Sequence, residues 1–572
     1  MRGIFLRLWA LLLVFCFLGC HGIFLSVQET AQGYLRKGDI ERTWPPVPTA
    51  PLTEETLRSL SEEAQTVLEK AEAGTIGNMA AYQTLCEYGT QVSSSLNLAL
   101  VQADSDRETA DEALLQLHEE VLSLLERSLV LLSLSMDESG ERPLTERERQ
   151  FQTKTKAIHE EPFLTFKRQE RASLNAYERV MEETTVLYDG TEWTWERLMN
   201  DETLPFPEWE RLCLQYQDAC LEKYASVLGE LVAIRNGMAK ELGVENAREG
   251  IYQREWRAYT PKQASDYCNA VLTEIGAWYQ KTVQAVAGDL TAFWIADVYP
   301  LTETLARIEK LLTERADWLL PSFYAMTKEG YGTLTKSDLK SQACYTTYFG
   351  EVSMPYTFLA WDDGAAMPIT LLHELGHFYQ LCKNPSASLA LHASKELTEL
   401  DAYGLEQLFY PHLEQLYGRR AEEARIALTM DAVYGLLHAC RSELFLERVY
   451  TEKWDTNTLS EWYLSLSWWD AGAEETDWSK LARLYYEPFS EIPIAVAISG
   501  GLEFQMYAET HFQKAVQAYQ RLVERGEDAP LTQTMEQMGL EPPVTERSVA
   551  VLLQLLERRA ETWAGRNGDA NE

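Results

Sequence analysis

The sequence predicts a mainly α-helical protein, and three observations lead there. Apolar residues recur at three- and four-residue spacing, as in Leu114, Leu117, Val121, Leu122, Leu124, Leu125 and Leu129. Breaks such as Ser139-Gly140-Glu141-Arg142-Pro143 and Leu204-Pro205-Phe206-Pro207 separate these periodic segments. Stretches that could form strands are few and short, so a large sheet is not expected.

Residues 1–25 read as a leader. Arg2 and Arg7 precede an apolar run over 8–17, followed by Gly19-Cys20. Gly19-Cys20 resembles the bacterial lipoprotein cleavage box, with Cys20 as the lipidated residue. The other reading is an uncleaved anchor from 8 to about 25. Either one places the body outside the cytoplasm, tied to a cell membrane through its N-terminus only. Residues 26–50, ending in Trp44-Pro45-Pro46-Val47-Pro48, read as a linker.

An N-terminal helical part is expected over 51–184, with a helical segment at 146–188 and a turn at Asp189-Gly190-Thr191. His118-Glu119-Glu120 reads as a solvated face. A second part spans 185–566, with long helices expected near 208–242, 261–286 and 301–320. Two short strand candidates, 343–350 and 355–361, form a small sheet edge just before residue 370. The remainder, from 401 to about 566, is again mainly helical.

Composition limits the function. The 572 residues carry 51 Lys and Arg against 88 Asp and Glu, a net charge of −37, which repels nucleic acid and anionic lipid. Beyond Cys16 and Cys20, seven cysteines are widely spread without C-x-x-C spacing, and they read as buried free thiols. A monomer is expected.

The chemistry centres on His373-Glu374-Leu375-Gly376-His377. Residues four apart share one face of a helix, so His373 and His377 can aim both imidazoles at one ion. Glu374 lies about 100° round the helix, placed to reach a water on that ion rather than to ligate it. Two neutral nitrogens, a carboxylate base and an open position suit a zinc hydrolase. Pro368 suits the first helical turn, and Lys383-Asn384-Pro385 the end. At least one further ligand is needed. The 395–410 segment offers Glu396, Glu399 and Glu406. Glu399 and Glu406 are seven apart on one face, and Glu396 lies close to it, so spacing leaves Glu396 and Glu399 both open.

Several segments then resemble one family. Thr370-Leu371 before the motif, Glu399-Leu-Asp-Ala402-Tyr-Gly-Leu-Glu406 after it, Ile234-Arg235 through Leu242-Gly243, Tyr259-Thr260-Pro261, and Pro488-Phe489 are similar to the M3 zinc metallopeptidases, the thimet oligopeptidase and oligoendopeptidase F group. The resemblance covers about 185–510. It implies a helical ellipsoid with a deep central channel, one Zn²⁺ per chain held by His373, His377 and Glu399, a histidine partner in Glu406, and Glu374 as catalytic base. It implies short peptides as substrates, because folded proteins cannot enter such a channel.

The chain departs from the family where substrate and oxyanion are held. By the resemblance, the family's histidine position looks like Arg483, its tyrosine positions look like Ser490, Glu491 and Ile494, and Ala402 stands where the family has serine. Arg483, Tyr485 and Tyr486 are the candidates to take over that role. The expectation is a zinc oligopeptidase. The alternatives are a catalytically impaired peptide-binding protein that keeps the zinc site, and a helical surface adaptor without metal.

Overall fold

The computed structural model describes residues 50–569 except 107–110, 201–203, 256, 297, 337–339, 341–342, 385–393, 468–477 and 526–528. The leader, Cys20 and nearly all of the linker lie outside the described residues. The fold is mainly α-helical with two small sheets.

Helices α1 (Glu54–Glu72), α2 (Asn78–Ser105) and α3 (Glu112–Ser139) come first. The Thr53 and Asp111 side chains accept from backbone amides in the first turns of α1 and α3. Gly140 ends α3 at φ 73°, a left-handed position that suits glycine. Leu57, Leu60, Leu85, Val92, Leu125 and Leu129 form a core of their own between these three helices. His118 is a correction to the sequence reading. Only Glu119 and Glu120 are solvated, while His118 is fully buried between Ser95 Oγ (2.6 Å) and the Leu114 carbonyl (2.8 Å).

Helices α4 (Glu146–Ala157) and α5 (Phe163–Glu183) lead into a hairpin, β1 (Thr185–Tyr188) and β2 (Thr191–Thr194). The expected helix to 188 therefore stops at 183. Asp189 (φ 49°) and Gly190 (φ 74°) make the tight two-residue turn that matches strand twist. With four residues per strand and one inward side chain on each, the paired Val186 and Trp193, the hairpin leaves no readable alternation.

The second part follows. It comprises α6 (Phe206–Glu241), α7 (Ala247–Arg254), α8 (Pro261–Ala270), α9 (Gly276–Ala296), α10 (Leu301–Arg315) and α11 (Leu320–Thr327). Strands β3 (Gly332–Thr333), β4 (Cys344–Phe349) and β5 (Met354–Leu359) form a sheet in the order β3-β5-β4. Every residue of β4 and β5 is buried. Helix α2 covers this sheet: Asn97 Nδ2 donates to the Tyr348 carbonyl at 2.9 Å, and Tyr345 OH donates to Asp104 at 2.9 Å. The sheet also packs against α12 (Met367–Lys383).

Helices α13 (Lys395–Phe409), α14 (Ala421–Thr451), α15 (Thr456–Ser465), α16 (Ala482–Tyr486), α17 (Ile492–Val523), α18 (Leu531–Met538) and α19 (Glu546–Asp569) complete the chain. The most extensive packing joins α13 to α17. Its far end is fixed by Arg525, which binds both oxygens of the fully buried Asp401 at 2.6 and 2.8 Å, while Tyr519 OH donates to the Asp401 carbonyl at 2.8 Å. All seven cysteines of the described residues are free thiols, and all but the half-buried Cys382 are buried. Among the described residues, no helix is long and apolar enough to cross a membrane.

Removing one partner of the Asp401–Arg525 pair leaves a buried charge uncompensated. Arg525→Met is expected to lower the unfolding free energy by about 3–5 kcal/mol, read by urea titration.

Candidate metal centre

Helix α12 starts with Pro368 in its first turn and is buried around nearly its whole circumference. One face carries His373 and His377, whose ring centroids are 4.8 Å apart with planes at 82°. Helix α13 crosses beside it. One ligand atom each from His373, His377 and Glu399 lie within 4.8 Å of one another. Glu396, left open by spacing, points elsewhere. It accepts from Tyr259 OH and Ser394 OH, both at 2.6 Å.

Gly376 is the reason the two helices come so close. A Cβ at this position would lie 2.7 Å from Ala402 Cα and 2.9 Å from the Asp401 carbonyl. Both obstacles are backbone, so neither can swing away. The small Ala402 sits at this contact.

Glu374 turns toward the sheet instead. Thr346 Oγ1 on β4 donates to Glu374 Oε2 at 2.7 Å, and Thr346 is itself paired with Thr357 at 2.8 Å. Burial pushes the Glu374 carboxyl up to about 7, against the opposing pull of His373 and Thr346. Glu406, one α13 face further on, lies 2.5 Å from His373 Nδ1. A carboxylate there holds the proton on Nδ1 and leaves Nε2 for coordination. Burial works against charging His373, but the Glu406 hydrogen bond and the Glu406, Glu374 and Glu399 charges raise it to about 9. Burial and the His373 charge hold His377 well below its usual range.

Beside His373 lies a cavity of about 140 Å³, lined by Tyr403, Glu406, Asp431, His438, Arg483, Glu491 and Ile494 among others. Arg483 lines this cavity. Its Nη1 is 4.0 Å from Glu491 Oε1, and Glu491 Oε2 is 3.6 Å from His438 Nδ1. Burial opposes the Glu491 charge, yet His438 and Arg483 keep its carboxyl below the ordinary range. Tyr485 and Tyr486 are not brought to the centre. Tyr485 is fully buried and stacked on Tyr177 at 4.0 Å, and Tyr486 donates to Glu178 at 2.7 Å. Sequence reasoning missed Tyr403, Asp431 and His438. Tyr403 meets the His373 ring edge-on at 5.0 Å, and burial pushes the Asp431 carboxyl to about 7. Asp431 and His438 are seven residues apart on an apolar helix, hence on one face, and that polar pair was the available signal.

The donors fit a divalent cation. Glu374 is buried, Glu399 and Glu406 are half-buried, and desolvation pushes all three carboxyl groups upward, so the centre is short of positive charge. Two imidazoles and a carboxylate suit zinc.

Neither a family model nor a curated protein sequence matches the chain. Solved structures do. A structure assigned to oligoendopeptidase F aligns over 91% of this chain and 98% of its own, with a TM-score of 0.67 and 18% identity. A structure of PZ peptidase A with an inhibitor covers 91% and 99%, at 0.65 and 16%. A structure assigned to oligoendopeptidase F of Bacillus anthracis covers 94% and 98%, at 0.64 and 16%. The chain has the oligoendopeptidase F fold. The match extends through the N-terminal helices, so the oligoendopeptidase F fold takes in nearly all the described residues, not only 185–510.

Gly376→Ala is expected to keep the helical content but to weaken metal binding by about tenfold or more, because it forces Glu399 away from the histidines; competition with a chelating dye reads this. The His373 proton and a metal compete for one nitrogen. Its folded-state value is raised, so in the metal-free chain the proton adds stability that is complete below about 6.5 and lost through about 9. Apparent zinc affinity should therefore fall by about tenfold per pH unit below 9, with one proton released per metal in calorimetry across two buffers.

Proposed function

We propose that the chain is a zinc-dependent oligopeptidase of the M3 group that hydrolyses short peptides. The observation that carries this reading is the convergence of His373, His377 and Glu399 from two helices, with Glu374 beside them on the sheet side. The fold shared with oligoendopeptidase F structures supports it. His373, His377 and Glu399 would hold one Zn²⁺. A zinc ion supplies Lewis acidity toward a carbonyl and a lowered pKa for water.

The chain's own groups do the rest. Thr346 fixes Glu374 Oε2, so the carboxylate is aimed rather than mobile. Glu374 takes the proton of the attacking water and delivers it to the leaving amine nitrogen, base first and then acid. Its burial, which lifts the carboxyl to about 7, suits both directions near neutral pH. Glu406 holds His373 in one tautomer. Arg483 and His438 are the cationic and donor groups of the adjoining cavity, placed to meet negative charge that develops on the substrate oxygen. A location outside the cytoplasm, through Cys20 lipidation or an uncleaved anchor, is part of this proposal and is supported by the sequence of residues 1–25.

A peptide-binding protein of low turnover is the second reading. It is favoured by the engagement of Arg483 with Glu491 and by the absence of Tyr485 and Tyr486 from the cavity lining. Purified protein is expected to carry about one zinc per chain. Wild type should cleave members of a quenched peptide library, and Glu374→Gln should lose at least about a hundredfold in rate while retaining zinc. Zinc without cleavage by either protein selects the second reading, and no zinc rejects both.

A further inference from the structure

A second, larger cavity adjoins the metal centre. It is a cleft of about 980 Å³ between α4 and α5 on one side and the 244–261 segment on the other, with Lys395 and residues 486–490 at its inner end. That volume is at the upper end for a bound organic ligand. The cleft and the metal centre are lined by neighbouring residues of the same segments. Lys395 lines it and stands one helical turn, about 6 Å along α13, before Glu399. Ser490 lines it, while its neighbour Glu491 lines the cavity beside His373.

The charge of this cleft runs against that of the chain. The protein carries −37, yet six cations line the cleft (Lys154, Lys167, Arg235, Arg254, Arg257 and Lys395) against four carboxylates. Three of these cations share a single carboxylate. Arg257, Lys395 and Arg254 stand 2.7, 3.4 and 3.9 Å from Glu255. Arg257 is buried, and its Nε and Nη1 make no hydrogen bond. Arg235 is paired with Glu170 at 2.6 Å. Lys167 is exposed and has no carboxylate within 4.0 Å among the described residues, with Glu126 and Glu170 acting on it only from farther off, and Lys154 donates to the neutral Gln253 amide at 2.9 Å. In a chain with 88 acidic residues, direct pairing of Lys154 and Lys167 as well would have been easy to arrange. Cations in excess of the carboxylates that line a concavity focus a positive field into it.

We propose that this cleft is an anionic subsite, which selects peptides bearing a carboxylate a few residues from the bond held at the metal. The inference rests on the oligopeptidase reading and adds a substrate class to it. One turn of α13 equals about two residues of extended peptide, so a carboxylate two or more positions from the scissile bond reaches Lys395 and the groups beyond it. The carboxylate comes from an Asp or Glu side chain or from the free C-terminus. Lys154 and Lys167 hold it by charge and Lys395 guides it in. A peptide with Lys at the same position meets repulsion.

The test uses the full zinc-loaded protein and one quenched peptide in matched forms: neutral, with Glu or Lys two to five residues from the cut on either side, and with the C-terminus free or amidated. The acidic form is expected to be favoured over the neutral form by about tenfold in kcat/KM at low salt, mostly through KM. That ratio should fall toward one at 1 M NaCl and in Lys154→Gln/Lys167→Gln. The Glu and C-terminus arms tell which carboxylate is read. Equal rates for acidic and neutral peptides, or a ratio unchanged in the double variant, overturn the subsite while leaving the peptidase reading intact. If no peptide is cleaved, the peptidase reading fails on its own, and fluorescence polarisation with the same labelled peptides decides the subsite. Preferential binding of the acidic form, lost in the double variant, supports it. Equal binding, no binding, or displacement by inorganic phosphate as effective as by acidic peptide overturns it.

Discussion

The contact between Gly376 and the backbone at Asp401–Ala402 is the constraint on which the centre depends. The metal helix brings two histidines but no third ligand. That ligand sits on another helix, and an ordinary side chain at 376 would hold the two helices apart. The absent Cβ lets them touch backbone to backbone. Everything on α13 is then placed together: Glu399 against the histidines, Glu406 against His373, and Tyr403 edge-on to the same ring. The position of α13 is in turn held from behind by α17, through Asp401, Arg525 and Tyr519.

A second support comes from the other side. Glu374 leaves the ligand face and is received by Thr346 of β4. That strand is buried on both faces, against α12 and against α2 of the N-terminal part. The N-terminal helices thus bear on the orientation of one carboxylate, although they have their own apolar core and contribute nothing to the ligand set. This links the 51–184 segment to the chemistry of 373–406 in a way that reading them as separate parts does not suggest.

Electrostatics sets two sites of opposite sign on neighbouring segments. The metal centre gathers carboxylates and suits a cation. The adjoining cleft gathers cations and suits an anion. The two are separated by one turn of α13 on one side and a single peptide bond, Ser490–Glu491, on the other. The strongly negative remainder of the surface makes the cleft the distinctive place for an acidic ligand to settle.

The sequence by itself determined the helical class, the H-E-x-x-H helix and its ends, and the two candidate imidazole donors on it. These follow from periods and spacings within one element, where geometry is set by 3.6 residues per turn. It also marked the Asp189-Gly190 turn, though not the strands either side of it, because four residues with one inward side chain each leave no period to read. Spacing left Glu396 and Glu399 both open and only the family resemblance pointed to Glu399; the tertiary structure sets Glu399 beside the histidines and turns Glu396 to Tyr259, because the choice depends on how α13 crosses α12. Only the tertiary structure buried His118, removed Tyr485 and Tyr486 from the centre, and brought in Asp431 and His438 from a helix 60 residues away. It alone set six cations around one cleft in a chain of −37. Such assignments depend on contacts between segments far apart in sequence, and no local spacing encodes which segments meet.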